Sequence, residues 1–234
     1  MMTFAEHIIQ FNKQLQLDAD LPENIRVMNP FQENPEVLDI SSAFYHKFYN
    51  DHNPRTLILG INPGRLGSGA TGIPFTDPKR LKSHCGMECS FSLHEPSSVF
   101  VYEVIDAYGG PEAFYQDFYI SSVCPLGFVL ISEEGKETNY NYYDSAALTE
   151  AVTPFVVKCI HAQLEFGLNR EIAFCMGTGK NYKFFKALNK EHSFFKRVVP
   201  LEHPRYVMQY KSKTKPQYVE KYRQELSLSQ NSTN

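Results

Sequence analysis

Two short segments hold side chains suited to work on a polar, planar ligand. In the first, Asn62-Pro63-Gly64 directly follows the apolar run Thr56–Ile61. An amide at that point projects donors and an acceptor beyond the end of the run. Pro63 stiffens the turn, and Gly64 lets a ligand or a second backbone approach closely. The same segment continues to Thr71-Gly72-Ile73-Pro74-Phe75, which sets an aromatic ring on a glycine-flexed loop where a planar ring could stack. In the second segment His203 precedes Pro204, which keeps the histidine backbone extended. Such an imidazole can donate a hydrogen bond, or exchange a proton, near neutral pH. Taken singly, Asn62 reads as a strand-end turn and Phe75 as core. His203 divides evenly between a ligand contact and an ordinary loop hydrogen bond.

These side chains need a scaffold that brings both segments together. Four apolar, β-branched runs predict strands: Thr56–Ile61, Phe118–Val123, Ile172–Met176 and Lys196–Pro200. Helical spacing predicts helices from Thr3, over Pro35–Tyr49, Ser97–Tyr108, Ser145–Phe166 and Gly179–Asn189, and from about Lys215. The polar, Tyr-rich stretch Ser132–Asp144 reads as loop. Strands alternating with helices predict a three-layer α/β/α fold around a mostly parallel, four-stranded sheet. In such sheets ligands bind beyond the carboxyl ends of the strands, where both segments would lie. Residues 1–228 are expected to form one domain, and 229–234 a frayed tail.

The 234 residues are 42% hydrophobic and 21% charged, which excludes disorder, collagen and a simple coiled coil. The net charge of −3 argues against nucleic acid, but its distribution is uneven. From Lys180 to Lys215 ten basic residues face only Glu191 and Glu202, a surplus of eight. Tyr206, Tyr210 and Tyr218 interleave with that charge. No apolar run reaches the roughly 18 residues of a membrane span, and no secretory leader is visible. Five cysteines without a leader suggest reduced thiols and a cytoplasmic protein. Cys85 and Cys89 lack a second ligand pair at metal spacing, so neither zinc nor an iron–sulfur cluster is expected. Gly67, Gly69 and Gly72 match G-x-G-x-x-G, yet residues intervene after the strand and Pro74 and Pro78 break the helix a pyrophosphate would need. Gly177-Thr178-Gly179-Lys180 fails the P-loop pattern at Phe174 and Asn181.

With both segments read, the chain resembles the uracil-DNA glycosylase superfamily, and within it the single-strand-selective monofunctional branch. That branch carries a first motif of form G-M-N-P-G…T-G-V-P-F-G. Here Gly60-Ile61-Asn62-Pro63-Gly64 and Thr71-Gly72-Ile73-Pro74-Phe75 stand in its place. A middle segment of form H-N-L-C-P-L is similar to Ser121-Ser122-Val123-Cys124-Pro125-Leu126, and a closing His-Pro with an Arg matches His203-Pro204-Arg205. The likeness spans about Thr56 to Tyr218. It departs at Ser122, where the family has an asparagine, and in a shorter closing loop.

The resemblance implies a monofunctional glycosylase that flips out uracil, and deaminated purines, and hydrolyses the N-glycosidic bond in base excision repair. It makes Asn62 and His203 the catalytic residues and assigns base contacts to Ile61, Gly64, Phe75 and Ser122. DNA contacts fall to Pro63, Pro204, Arg205, Tyr206, Lys211, Lys213 and Lys215. Neither metal nor organic cofactor is needed, the partner is DNA carrying uracil or other deaminated bases, and the protein is expected to act as a monomer. The Ser122 departure keeps a second reading open, a catalytically silent nucleic-acid-binding relative. The glycine pattern leaves a third, a dinucleotide-dependent enzyme.

Overall fold

The run after Asn53-Pro54 forms a strand whose residues are all buried, as an apolar strand covered on both faces must be. In this computed structural model, which describes residues 1–232, it is one of seven strands. These are β1 (Ile25–Met28), β2 (Arg55–Gly60), β3 (Phe118–Ser122), β4 (Gly127–Ile131), β5 (Glu137–Tyr140), β6 (Leu168–Met176) and β7 (Arg197–Leu201). Four of them make a parallel sheet in the order β3-β2-β6-β7. Helices flank it, giving the expected three-layer α/β/α arrangement. Helices Phe4–Gln14 and Pro35–Tyr49 pack on one another, and helix Pro96–Tyr108 packs on Pro204–Tyr210 and Lys215–Leu226.

The helix boundaries follow local chemistry. Thr3 and Glu6 form a reciprocal cap for the first helix, with Glu6 N–H on Thr3 Oγ1 and Thr3 N–H on Glu6 Oε2. Pro35 opens the next helix behind the Asn34 cap. Pro154 lies inside the helix Ala146–Leu164, which continues through it.

The buried Arg55 ties the root of β2 down. Its guanidinium pairs with both oxygens of Asp51, reaches the Tyr115 carbonyl at 3.2 Å, and lies over the rings of Phe4 and Tyr49. Removing Asp51 would leave the buried guanidinium without its carboxylate, which is destabilising.

One expectation needs correction. Ser132–Asp144 is not all loop: β5 pairs antiparallel with β4, and β4 with β1, to form a separate three-stranded sheet. The sequence Glu137-Thr138-Asn139-Tyr140 has no apolar alternation, so its strand conformation comes from its neighbour. The expected tail, 229–234, begins within the last described element. Ser227–Ser232 form a 3₁₀ helix, and the buried Ser229 donates its hydroxyl to the Leu226 carbonyl at 2.8 Å. Residues 233–234 of that tail lie outside the described residues.

The small sheet bears on the site. A Cβ at Gly127 would stand 2.5 Å from the Pro63 carbonyl oxygen, so only glycine lets β4 close against the loop after β2. Gly60 and Ser122 are register partners at the carboxyl ends of β2 and β3. Beyond them, Val123 N–H donates to the Gly60 carbonyl and Cys124 N–H to the Ile61 carbonyl, so the first and middle motifs leave the sheet together.

Candidate active site

Asn62 stands where β2 runs out. Its Oδ1 accepts the Tyr142 N–H at 3.1 Å, and its Nδ2 donates to the Pro63 and Tyr140 carbonyls, each at 3.3 Å. With two carbonyls on one side and an N–H on the other, the amide has one satisfied orientation. A second lone pair on Oδ1 remains for water. Tyr142 closes the circuit: its hydroxyl donates to Asn181 Oδ1 at 2.7 Å, and Asn181 Nδ2 donates to the Met176 and Gly60 carbonyls. The ends of β2 and β6 and the segment after β5 thus lock one amide in place.

His203 caps the helix Pro204–Tyr210 with extended backbone, φ −64 and ψ 134, as its position before proline predicts. Its Nδ1 accepts the Arg205 N–H at 3.1 Å. That bond requires a bare Nδ1, so the neutral ring carries its proton on Nε2. Burial first, and then the charge of Arg205, lower its pKa from 6.5 to about 4. At neutral pH the ring is an uncharged donor. Phe75 lies 5.9 Å from it, centroid to centroid. Phe75 adopts φ +53, a left-handed conformation that a bulky residue holds only when its surroundings enforce it. Its ring packs over Gly60, where a Cβ would meet it at 3.3 Å.

These residues share a cavity of about 320 Å³. Nine sequence-predicted residues line it: Ile61, Asn62, Pro63, Gly64, Phe75, Ser122, His203, Arg205 and Tyr206. Pro204 is buried at the helix start, and Lys211, Lys213 and Lys215 do not line the cavity. Lys215 instead pairs with Glu103. Sequence reasoning missed Glu95, Asn139, Asn141, Tyr143 and Gln209, which also form the walls, as does Tyr210, one of the tyrosines interleaved with the basic segment. Tyr143 carries the Lys180 ammonium 5.9 Å over its ring, which brings one residue of the basic segment to the cavity wall. Tyr206 and Tyr210, both exposed at the rim, lie 5.7 Å apart.

Gly67 and Gly69 serve packing. A Cβ on Gly69 would stand 2.6 Å from the Gly64 carbonyl oxygen, and one on Gly67 only 2.4 Å from the Glu95 carboxyl. The following helix, Ser68–Thr71, is a single turn. Among the described residues, no cluster of three His, Cys, Asp or Glu side chains is placed to hold a metal ion, and no helix is long and apolar enough to cross a membrane.

A parallel sheet with an amide, a neutral imidazole and an aromatic ring around one rim cavity defines the class. The model of the uracil DNA glycosylase superfamily matches residues 46–227, and the chain belongs to that superfamily. Among solved structures it is similar to the crystal structure of WT Pedobacter heparinus SMUG2, at 56% identity and a TM-score of 0.96. That match covers 99% of this chain and 100% of the other. No curated protein matches the chain.

Proposed function

We propose that the protein is a monofunctional DNA glycosylase that excises uracil, and other deaminated bases, by hydrolysing the N-glycosidic bond, in the service of base excision repair. The observation that carries this reading is His203: a neutral ring whose one proton sits on Nε2, at the wall of a cavity shared with Asn62 and Phe75.

The chemistry follows from the leaving group. A flipped base departs as an anion while the sugar becomes oxocarbenium-like. His203 Nε2–H donates to a carbonyl oxygen where that negative charge grows. Loss of one donor of this kind costs about 2.7–4 kcal/mol. Being neutral, the ring can stay a donor throughout without having to give up its proton. Asn62 cannot deprotonate water at neutral pH, and an oxocarbenium does not require it to. Its free Oδ1 lone pair can hold a water against the sugar carbon, which is a positioning role. Phe75 supplies a face for the base, and Ser122 a hydroxyl for its polar edge.

The test is a base-release panel on oligonucleotides carrying uracil, xanthine or hypoxanthine, single- and double-stranded, with alkali to reveal abasic sites. Release of uracil at least is expected. Binding without release from any substrate would reject catalysis and leave a nucleic-acid-binding relative.

A further inference from the structure

A second cavity, of about 490 Å³, lies beside the base pocket. The two share a wall that includes Gly64, Glu95, Ser97 and Arg205. The far side of the second is apolar, formed by Leu66, Pro96 and Met208. Glu95 is the acidic side chain common to both.

The Glu95 backbone is held in place, while one oxygen of its carboxyl has no partner among the described residues. Its Oε2 is buried and makes no hydrogen bond. Its backbone N–H donates to Asp77 Oδ2 at 3.0 Å. Asp77 in turn takes the Arg80 N–H at 2.9 Å and meets His94 Nδ1 at 3.1 Å, so this backbone is fixed. Gly67 lies against the carboxyl: a Cβ there would stand 2.4 Å from it, so the Glu95 side chain would have to shift to admit one. Arg205 lines the same space. A buried acceptor left unpaired is unfavourable, so the site suits a donor brought from outside. Burial, and then the charge of Asp77, push this carboxyl up to about 7, so it is mostly ionised and purely an acceptor at pH 8.

The occupant must have flat apolar faces for Leu66, Pro96 and Met208 and an N–H on its edge for Glu95. It must also reach a cavity that adjoins the base pocket. A nucleobase next to the extruded one meets all three conditions. Carboxylates accept from exocyclic base amines in this way. We propose that Glu95 makes the second cavity a subsite for the neighbouring nucleobase of the same strand, recognised through its exocyclic amine. The proposal rests on the glycosylase reading above.

The test uses strands in which the 5′ or 3′ neighbour of uracil is either adenine or unsubstituted purine, which keeps the ring and lacks the amine. kcat/KM is measured at pH 8. Affinity is measured for the same strands with a tetrahydrofuran abasic analogue replacing uracil, which reads the subsite without base release. At one neighbour position adenine should be favoured about tenfold in both readouts. Glu95→Leu should equalise the two neighbours, and Glu95→Gln, which keeps one acceptor oxygen, should retain part of the preference. Equal values for adenine and purine on both sides of the wild-type site would overturn the proposal, as would a preference that survives Glu95→Leu. If Glu95→Leu re-ranks uracil against xanthine and hypoxanthine but spares the neighbour preference, Glu95 reads the flipped base and the subsite is rejected. No base release from any strand, with the adenine preference in affinity intact, would sink the catalytic reading and uphold the subsite.

Discussion

Asn62 Oδ1 accepts the backbone N–H of Tyr142 at 3.1 Å, across 80 positions of sequence. This bond makes the amide both a candidate water holder and a tie between two loops. Asn62→Ala therefore removes two things at once. Base release should fall about 10²–10³-fold, the scale of a lost charge-stabilising or positioning group. The Tyr142 N–H also loses its acceptor, at a cost of about 1–3 kcal/mol. Single-turnover rates and thermal melts on the same samples separate the two effects. A melt unchanged from wild type would show that the tie carries no stability.

The tautomer of His203 is set by a backbone donor, and its charge by burial and Arg205. Heteronuclear NMR of the imidazole should find a titration near 4 and an Nε2-protonated ring above it. On strands whose uracil has only unsubstituted purine neighbours, which offer Glu95 no amine, excision should hold steady from pH 8 to about 5, since the donor form persists there. The sign for stability is fixed by the same shift. The unfolded chain takes up this proton below about 6.5 and the folded one only below about 4, so stability is lost as pH falls through that window. Arg205→Ala removes the smaller of the two causes and should raise the value part of the way. A ring titrating at 6.5 in the wild type would remove the argument for a neutral donor.

Ser122 pairs with Gly60 in register and lines the base cavity. A hydroxyl rotates to serve as donor or acceptor, whereas an amide presents both at fixed places. The native site should therefore tolerate several base edges. Ser122→Asn should raise the ratio of uracil to hypoxanthine release by about tenfold, the worth of one well-placed hydrogen bond. An unchanged ratio would show that this position does not read the base.

What could be seen in the sequence depended on how local its cause was. Asn62 and His203 stood out because a buried apolar run, or a following proline, fixes the backbone on which each is carried. The same logic located all four strands of the parallel sheet. Asn139 and Tyr143 were hidden because β5 is polar and acquires its strand shape from β4. Glu95 was hidden for a different reason. An acid before a proline reads as an ordinary helix start, and Gly67, which lies against its carboxyl, is distant in sequence. The surplus of basic charge near the C-terminus was plain, but the pairing of Lys215 with Glu103 spans 112 positions and leaves no local trace.

That pairing sorts the lysines expected to grip DNA. Lys213 is exposed and forms no ion pair among the described residues, whereas Lys215 is held by Glu103 with its side chain only 22% exposed. A lysine that meets a phosphate releases a counterion, and each such contact adds about 0.9 to the slope of log affinity against log salt on duplex DNA. Lys213→Ala should therefore flatten that slope by about one unit and weaken binding to all sequences alike. Lys215→Ala should leave the slope near the wild-type value and lower thermal stability instead, because it strands the Glu103 carboxylate. Affinities for one abasic-analogue duplex, measured across a salt series for the three proteins, decide the matter. Equal slopes for wild type and Lys213→Ala would place the phosphate path elsewhere. A slope lost on Lys215→Ala would mean that DNA displaces Glu103 from its lysine.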